Sequence, residues 1–310
     1  MLNRVVEWRE DGVAIEADQR HVEIAAEEMG LVGANGVATP GVRVREEEEE
    51  TEGTGELSRE RARTFRGVAA RLNFLAMDRG DLPYSTKELC RDMSRPTERA
   101  WEKLKRAVRY LVGKPRVVLV FRWQRMPKKL VIWVDSDHGG CHKTRKSTSG
   151  GVMMWGAHCL KVWSSTQSVI ALSSGEAEYY ALLKGASVGL GMRGLMGEMG
   201  VGAEVELRSD SSAGLGVANR RGVGRVKHVQ ICYLWLQEKV ERGEVCVVKV
   251  GGLSNWADIQ TKYVDGARLW DFLARMGWRQ EEGRSDLTPG VARDAGSGRW
   301  NGEWDEGVWE

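Results

Sequence analysis

The sequence predicts an α/β protein: a mixed β-sheet flanked by helices, preceded by a smaller helical segment. Two observations carry this. From Val117 onward, runs rich in β-branched and aromatic residues come first, and strand-like and helix-like stretches then alternate. That order asks for a mixed sheet with helices packed on it. Ahead of it, residues 62–113 carry helical periodicity. At 310 residues and 42% hydrophobic content, the chain is long enough for two domains and a sizeable core.

The elements follow in order. The first segment, to about Val32, reads as helical, with Asp18 as N-cap and Gly30 as the stop of a helix over Ala17–Gly30. A Gly/Pro-containing loop runs from Gly33 to Gly41. The acidic run Glu46–Glu50 has a Gly/Thr/Ser-rich tail to about Ser58. Like charges with nothing apolar to bury predict a disordered or surface insert there. Pro96-Thr97-Glu98-Arg99 opens the clearest helix of the next segment. Trp101, Leu104, Ala107, Val108 and Leu111 share one face of it, and the basic residues around them read as solvated.

Strands are expected at 117–121, 130–134, 151–155 and 160–163, the last two joined by a turn at Gly156-Ala157-His158. A long helix at about 174–199 and a strand ending at Ser209 come next. Helices at about 211–219 and 229–241, a strand at 244–250 and a helical pair at about 254–261 and 266–277 complete the unit. Residues 279–310 are Gly, Arg, Asp and Glu with scattered Trp, the composition of a disordered tail.

The formal charge of +2 is no nucleic-acid signature, so any such contact must come from local basic patches. The five cysteines are odd in number and none has C-x-x-C spacing. Free thiols in a reducing compartment are expected, not a disulfide or zinc framework. Apolar runs fall far short of a bilayer's thickness and no signal peptide is visible. The sequence therefore reads as intracellular, cytoplasmic or nuclear, with no membrane partner.

Four carboxylates stand where strands or helices would aim them at one point. Asp135 ends the apolar run Leu130–Val134, and Glu178 lies in what reads as the first turns of the long helix. Asp210 follows the alternating stretch Val205–Ser209, and Asp258 lies just after another strand-like run. Carboxylate oxygens are the hard ligands that Mg²⁺ takes, and a cluster can hold two ions that clamp the attacking and leaving oxygens of a phosphodiester. Each acid also has a plainer role. Asp210 could cap the following helix, and Asp258 could be an ordinary helix carboxylate. Asp137, one alternation beyond Asp135, is its rival. Glu176 and Glu178 point in different directions on a helix, so only one of them can join the cluster. The stretch His142–Thr148 offers Lys143, Arg145, Lys146, Ser147 and Thr148 as phosphate ligands, with a solvated hairpin loop as the alternative.

Residues 130–278 resemble the ribonuclease H domain of copia-type LTR retrotransposon Pol polyproteins. Asp135-Ser136-Asp137, Arg145–Gly150, Val162–Ser165, Ala171–Ser174, Glu176–Tyr179, Lys227-His228 and Ala257-Asp258-Ile259 with Thr261-Lys262 carry the likeness. Upstream, Asp18–Val22, Ala38–Gly41, Leu72–Ala76, Met93–Thr97 and Leu104–Leu111 are similar to the C-terminal part of the reverse transcriptase. The resemblance implies four parts: a palm/thumb remnant with the acidic insert over 1–60, and a helical thumb/connection segment over 61–115. A ribonuclease H-like domain over 116–278 and the tail over 279–310 follow. It implies endonucleolytic hydrolysis of the RNA strand of RNA–DNA hybrids, with Asp135, Glu178, Asp210 and Asp258 holding two Mg²⁺, or Mn²⁺ in their place. It selects Glu178 over Glu176, adds Lys227 and His228 as substrate contacts, and names other Pol segments as partners.

The Tyr-x-Asp-Asp hairpin of the polymerase is absent, so DNA synthesis is not expected. Two departures from the family pattern stand out. His138-Gly139 replaces a frequent Trp-Ala, and Val250–Asn255 lacks the histidine that many cellular ribonucleases H carry there. The alternative is a catalytically silent nucleic-acid-binding or structural relic of the same fold.

Overall fold

The computed structural model describes residues 4–43, 55–141, 143–222, 224 and 231–291. Among the described residues the strands are β1 (Val5–Arg9), β2 (Gly12–Glu16), β3 (Val117–Arg122), β4 (Lys129–Ser136), β5 (Thr148–Trp155), β6 (His158–Thr166), β7 (Glu204–Ser209), β8 (Val245–Lys249) and β9 (Trp278–Gln280). The α-helices are α1 (Arg20–Glu28), α2 (Arg59–Leu75), α3 (Pro83–Arg91), α4 (Glu98–Gly113), α5 (Ser174–Glu198), α6 (Ser212–Ala218), α7 (Trp235–Glu241) and α8 (Gly266–Arg275). No helix among the described residues is long and apolar enough to cross a membrane.

The second sheet positions the site. Its order is β6-β5-β4-β7-β8, with β4 in the centre. β5 runs antiparallel to β4 and β6, whereas β7 is parallel to both β4 and β8. This is the ribonuclease H-like mixed sheet that the sequence predicts. Ile132 and Val134 of β4 pack with Leu182, Ala186 and Leu207 in one core. Trp133, on the other face, stacks on Trp256 of a 3-10 turn (Trp256–Gln260) at 4.3 Å and 9°. α5 lies close to the sheet because glycines face it. A Cβ on Gly185 would come within 2.6 Å of Val134 Cγ1, and one on Gly189 within 2.9 Å of Ile132 Cδ1.

The helical segment packs around Phe65, Val68, Leu72, Leu104, Val108 and Leu111. Thr97 caps α4 by accepting from Ala100 N at 3.3 Å, at the helix start that the sequence predicts. A fully buried ion pair joins Arg79 to Asp81 at 2.7 Å, and Tyr110 donates to the same carboxylate at 2.7 Å.

Two expectations are corrected. The helical reading of the first segment fails over Val5–Glu16, which forms a hairpin. β2 pairs with β3, giving a first sheet of order β1-β2-β3-β9. That partner lies about a hundred residues downstream in sequence, beyond the reach of local periodicity. Gly12 fixes the crossing: its φ is +155°, and a Cβ there would sit 2.1 Å from Phe121 O. The helix proper begins at Arg20, and Gly30 follows it at φ +64°. Asp18 does not cap it by the usual pattern but accepts from Arg20 N at 3.1 Å and pairs with the Arg20 guanidinium at 2.8 Å.

The expected tail also begins too early. Trp278–Gln280 is a strand, Glu281 pairs with Arg9 at 2.5 Å, and Ser285 N donates to Gln19 at 2.8 Å. Those pairings, part-buried at Glu281 and buried at Ser285, hold a stretch whose polar composition suggests none. The acidic run Glu46–Glu50 and residues 292–310 lie outside the described residues. Cys90, Cys141, Cys159 and Cys246 are free thiols.

Because α5 is packed tightly on one side and open on the other, its glycines differ in what they tolerate. Gly185→Leu should overpack the sheet and cost about 1–3 kcal/mol. Gly194→Ala, where no atom lies within 4 Å of the added Cβ, should stabilise by about 0.5–1 kcal/mol. Urea unfolding of both variants checks this; equal effects would contradict the packing described.

Candidate metal centre

Strand register brings the first two acids together. Trp133 of β4 is paired with Arg208 of parallel β7, so Asp135 and Asp210, each two residues on, stand level at the carboxyl ends of adjacent strands. Glu178 reaches them from the first turns of α5. One carboxylate oxygen from each of Asp135, Glu178 and Asp210 lies within 4.8 Å of the other two. No ion pair engages any of the three among the described residues. Glycines permit the approach. A Cβ on Gly214 of α6 would come within 3.1 Å of Glu178 Cβ. One on Gly150, paired with Asp135, would meet Thr261 Cγ2 at 2.7 Å.

Two polar residues, to which the sequence assigns no role, orient these acids. Thr261 donates its hydroxyl to Asp135 Oδ2. Asn255 is fully buried; its Nδ2 donates to Val134 O at 3.0 Å and to Asp210 Oδ1 at 3.2 Å. Its Oδ1 accepts from Ala257 N at 3.2 Å and so opens the 3-10 turn. The signal was in the sequence as an Asx residue directly ahead of a short helix, which reads there as a cap and nothing more.

The rivals settle into structural roles. Asp137 turns away and accepts from Thr148 N at 2.5 Å. Glu176 is buried and accepts from Leu172 N at 3.1 Å and from Tyr180 Oη at 2.6 Å, fixing the approach to α5. Asp258 is buried on the 3-10 turn and stands outside the three-acid group. Lys262 Nζ lies 2.9 Å from its Oδ1 and Arg268 Nη2 lies 2.5 Å from its Oδ2.

The loop after β4 is divided. Ser147 and Thr148 are buried. Ser147 Oγ accepts from Gly139 N at 2.9 Å, and Thr148 Oγ1 accepts from Lys87 Nζ of α3 at 2.8 Å. Lys143 Nζ pairs with Asp92 at 2.9 Å. Arg145 and Lys146 have no ion pair among the described residues, and Arg145 sits at φ +58° on the exposed side of the loop. Lys227 and His228 lie outside the described residues.

The residues fit a divalent cation. Three carboxylates converge, all hard oxygen donors. Glu178 Oε2 is buried without a hydrogen-bond partner, an arrangement that costs free energy unless something positive occupies the space beside it.

Sheet order and converging acids define a ribonuclease H-like α/β protein. No family model matches the chain. The retrovirus-related Pol polyprotein from transposon RE2 of Arabidopsis thaliana is 29% identical over 216 residues, covering 69% of this chain and 15% of its own length. That from transposon TNT 1-94 of Nicotiana tabacum is 27% identical over 199 residues, or 64% of this chain and 15% of the relative. The chain thus spans about 15% of the length of the curated relatives it matches. A solved structure of LC11-RNase H1, isolated from compost by a metagenomic approach, is 21% identical, with a TM-score of 0.30, and covers 42% of this chain and 91% of that one. Over about two thirds of its length the chain is similar to retrovirus-related Pol polyproteins of plant transposons.

Crowding shows in the acids' proton affinities. Burial pushes the Asp135 carboxyl up to about 7; Asp258 and Asp210 add to the rise, and the Thr261 hydroxyl and Lys262 oppose it. Burial, followed by the charges of Asp135 and Asp210, pushes Glu178 up to about 8. Ser136 opposes that rise, although no hydrogen bond of good geometry joins the two side chains.

Both folded values exceed the ordinary 3.8 and 4.5, so the folded protein holds these protons to higher pH than the unfolded chain. Their contribution to stability is full below about pH 4 and is lost as pH rises through 7 to 8. Metal-free protein should therefore melt a few °C lower at pH 9 than at pH 6. Asp135→Asn should flatten the difference, and millimolar Mg²⁺ should restore the melting temperature at pH 9. Calorimetry that finds metal-free protein equally stable at both pH values would count against this electrostatic picture.

Proposed function

We propose that this chain hydrolyses the RNA strand of RNA–DNA hybrids endonucleolytically, using two Mg²⁺ ions, with Mn²⁺ as a substitute. The observation that carries the proposal is the convergence of Asp135, Glu178 and Asp210 within 4.8 Å at the strand ends of a ribonuclease H-like sheet. Kinship with retrovirus-related Pol polyproteins supports it. Other segments of such a polyprotein are the natural protein partners.

Bound there, divalent cations would lower the pKa of a water and stabilise the departing 3′ oxygen. The chain's own residues do the rest. Asp135 and Asp210 present oxygens from rigid strand ends, and Thr261 and Asn255 lock their orientation, leaving little to reorganise. Glu178 supplies the third donor from the rigid start of α5. Arg145 and Lys146 stand in the loop beside β4, where exposed cations can hold backbone phosphates. Such contacts position the duplex. Choice of RNA over DNA rests on groups that meet the 2′-OH across a wide minor groove.

Full-length protein with Mg²⁺ and an end-labelled RNA–DNA hybrid should cut the RNA strand alone. Asp135→Asn and Glu178→Gln should each lower the rate more than about 100-fold, the equivalent of losing about 3 kcal/mol of transition-state stabilisation. Absence of cleavage by folded wild-type protein in both Mg²⁺ and Mn²⁺ would leave a silent relic of the fold.

A further inference from the structure

Asp258 is the expected ligand that stands apart, and its surroundings explain how. Its side chain is 3% exposed, yet those of the two cations that hold it, Lys262 and Arg268, are 53% and 30% exposed. Arg268 donates a hydrogen bond to Oδ2 at 2.5 Å, and Lys262 faces Oδ1 at 2.9 Å as an ion pair without hydrogen-bond geometry. Arg268 also lies over the Phe272 ring at 5.3 Å and reaches Gly252 O at 3.4 Å, so it has a seat of its own.

Asp258 is nonetheless a near neighbour of the three acids. The Thr261 hydroxyl that donates to Asp135 also lies 3.2 Å from the backbone O of Asp258. Four carboxylates meeting here without cations would repel one another in a poorly hydrated space. Pairing Asp258 with two basic side chains lowers that cost, and it also sets a cation against each oxygen that a metal would need.

We propose that Lys262 and Arg268 act as a latch. They are positioning residues that keep Asp258 out of metal coordination until nucleic-acid phosphates draw them away. The proposal rests on the reading of Asp135, Glu178 and Asp210 as a metal centre. Without nucleic acid, those three acids take one divalent ion. A phosphodiester backbone then offers the exposed cations another anion, and guanidinium pairs with phosphate in a two-pronged fashion. Released, Asp258 completes a place for a second ion. The device ties assembly of the full site to the presence of substrate.

The test counts Mn²⁺ ions bound by full-length protein, from the electron paramagnetic resonance of the free ion, so cleavage plays no part. Without nucleic acid, wild type should bind one Mn²⁺ per chain, and Lys262→Met and Arg268→Met should each bind two. Lys262→Arg should return to one, and so should the double variant Lys262→Met with Asp258→Asn. A hybrid whose RNA strand is 2′-O-methylated should raise wild type to two, after subtraction of ions bound by the hybrid alone. Circular dichroism melts confirm that each variant is folded; the two cations are replaced separately so that one unstable protein does not decide the matter. Two ions on wild type without nucleic acid, or one on both Met variants, overturns the latch while the metal centre stands. No Mn²⁺ on any folded protein overturns both.

Discussion

The parallel pairing of β4 with β7 is the constraint on which the rest depends. Trp133 and Arg208 share a register position, and Arg208 lies over the Trp133 ring at 4.8 Å. That contact sits two residues before Asp135 and Asp210 on their respective strands. A slip of one residue would turn one of the two acids to the other face of the sheet, because side chains alternate with period two. It would also put Ile132 or Leu207 on the wrong side of the core that α5 closes. Hydrophobic burial on one face and ligand geometry at the strand ends are therefore fixed by the same hydrogen bonds. The acids need no dedicated framework; they inherit one.

What the sheet positions, it does not make comfortable. Asp135 is buried beside Glu178 and Asp210, and the proton affinities of Asp135 and Glu178 rise in consequence. Elsewhere the chain answers buried acids with cations. Arg79 meets Asp81, Arg116 meets Glu16 at 3.0 Å, and Lys262 with Arg268 meets Asp258. Among the described residues the three converging acids have no ion pair, although Lys262 is close enough for its charge to act on Asp135. An uncompensated cluster is a cost that the fold must overcome, and such costs concentrate at functional sites in proteins generally.

Much of this was legible in the sequence, for identifiable reasons. Leu130–Val134 and Val205–Ser209 showed their strand character locally, and the acids that end them could be read from position alone. Glu178 needed the family likeness to separate it from Glu176, since helical geometry says only that the two diverge. The hairpin Val5–Glu16 was hidden because its partner strand, Val117–Arg122, is remote and was itself expected in the other sheet. Asp258 was rightly placed on a short helix after a strand. That Lys262 and Arg268 occupy it depends on the four-residue step to the first and on the start of α8 for the second, contacts no linear pattern displays.

The helical segment is part of the same machine. α3 lies against both loops that finish the site. Lys87 donates to Thr148 Oγ1 at 2.8 Å, Lys143 crosses to Asp92 at 2.9 Å, and Tyr84 meets Tyr263 edge-on at 4.8 Å. Gln260, fully buried one residue before Thr261, donates to Gly80 O at 2.9 Å. The close approach there depends on Gly80, where a Cβ would meet the Trp278 ring at 2.8 Å. Thr261 is thus held from behind by the helical segment while it donates to Asp135 in front. Lys87 is largely buried, so breaking its contact with Thr148 would leave a charged donor to be resolvated or re-paired. The step from helical segment to sheet domain, sharp in sequence near Lys114, is therefore no mechanical boundary. Two hydrogen bonds, from Gln260 to Gly80 O and from Thr261 to Asp135, link the turn before α3 to the acid cluster.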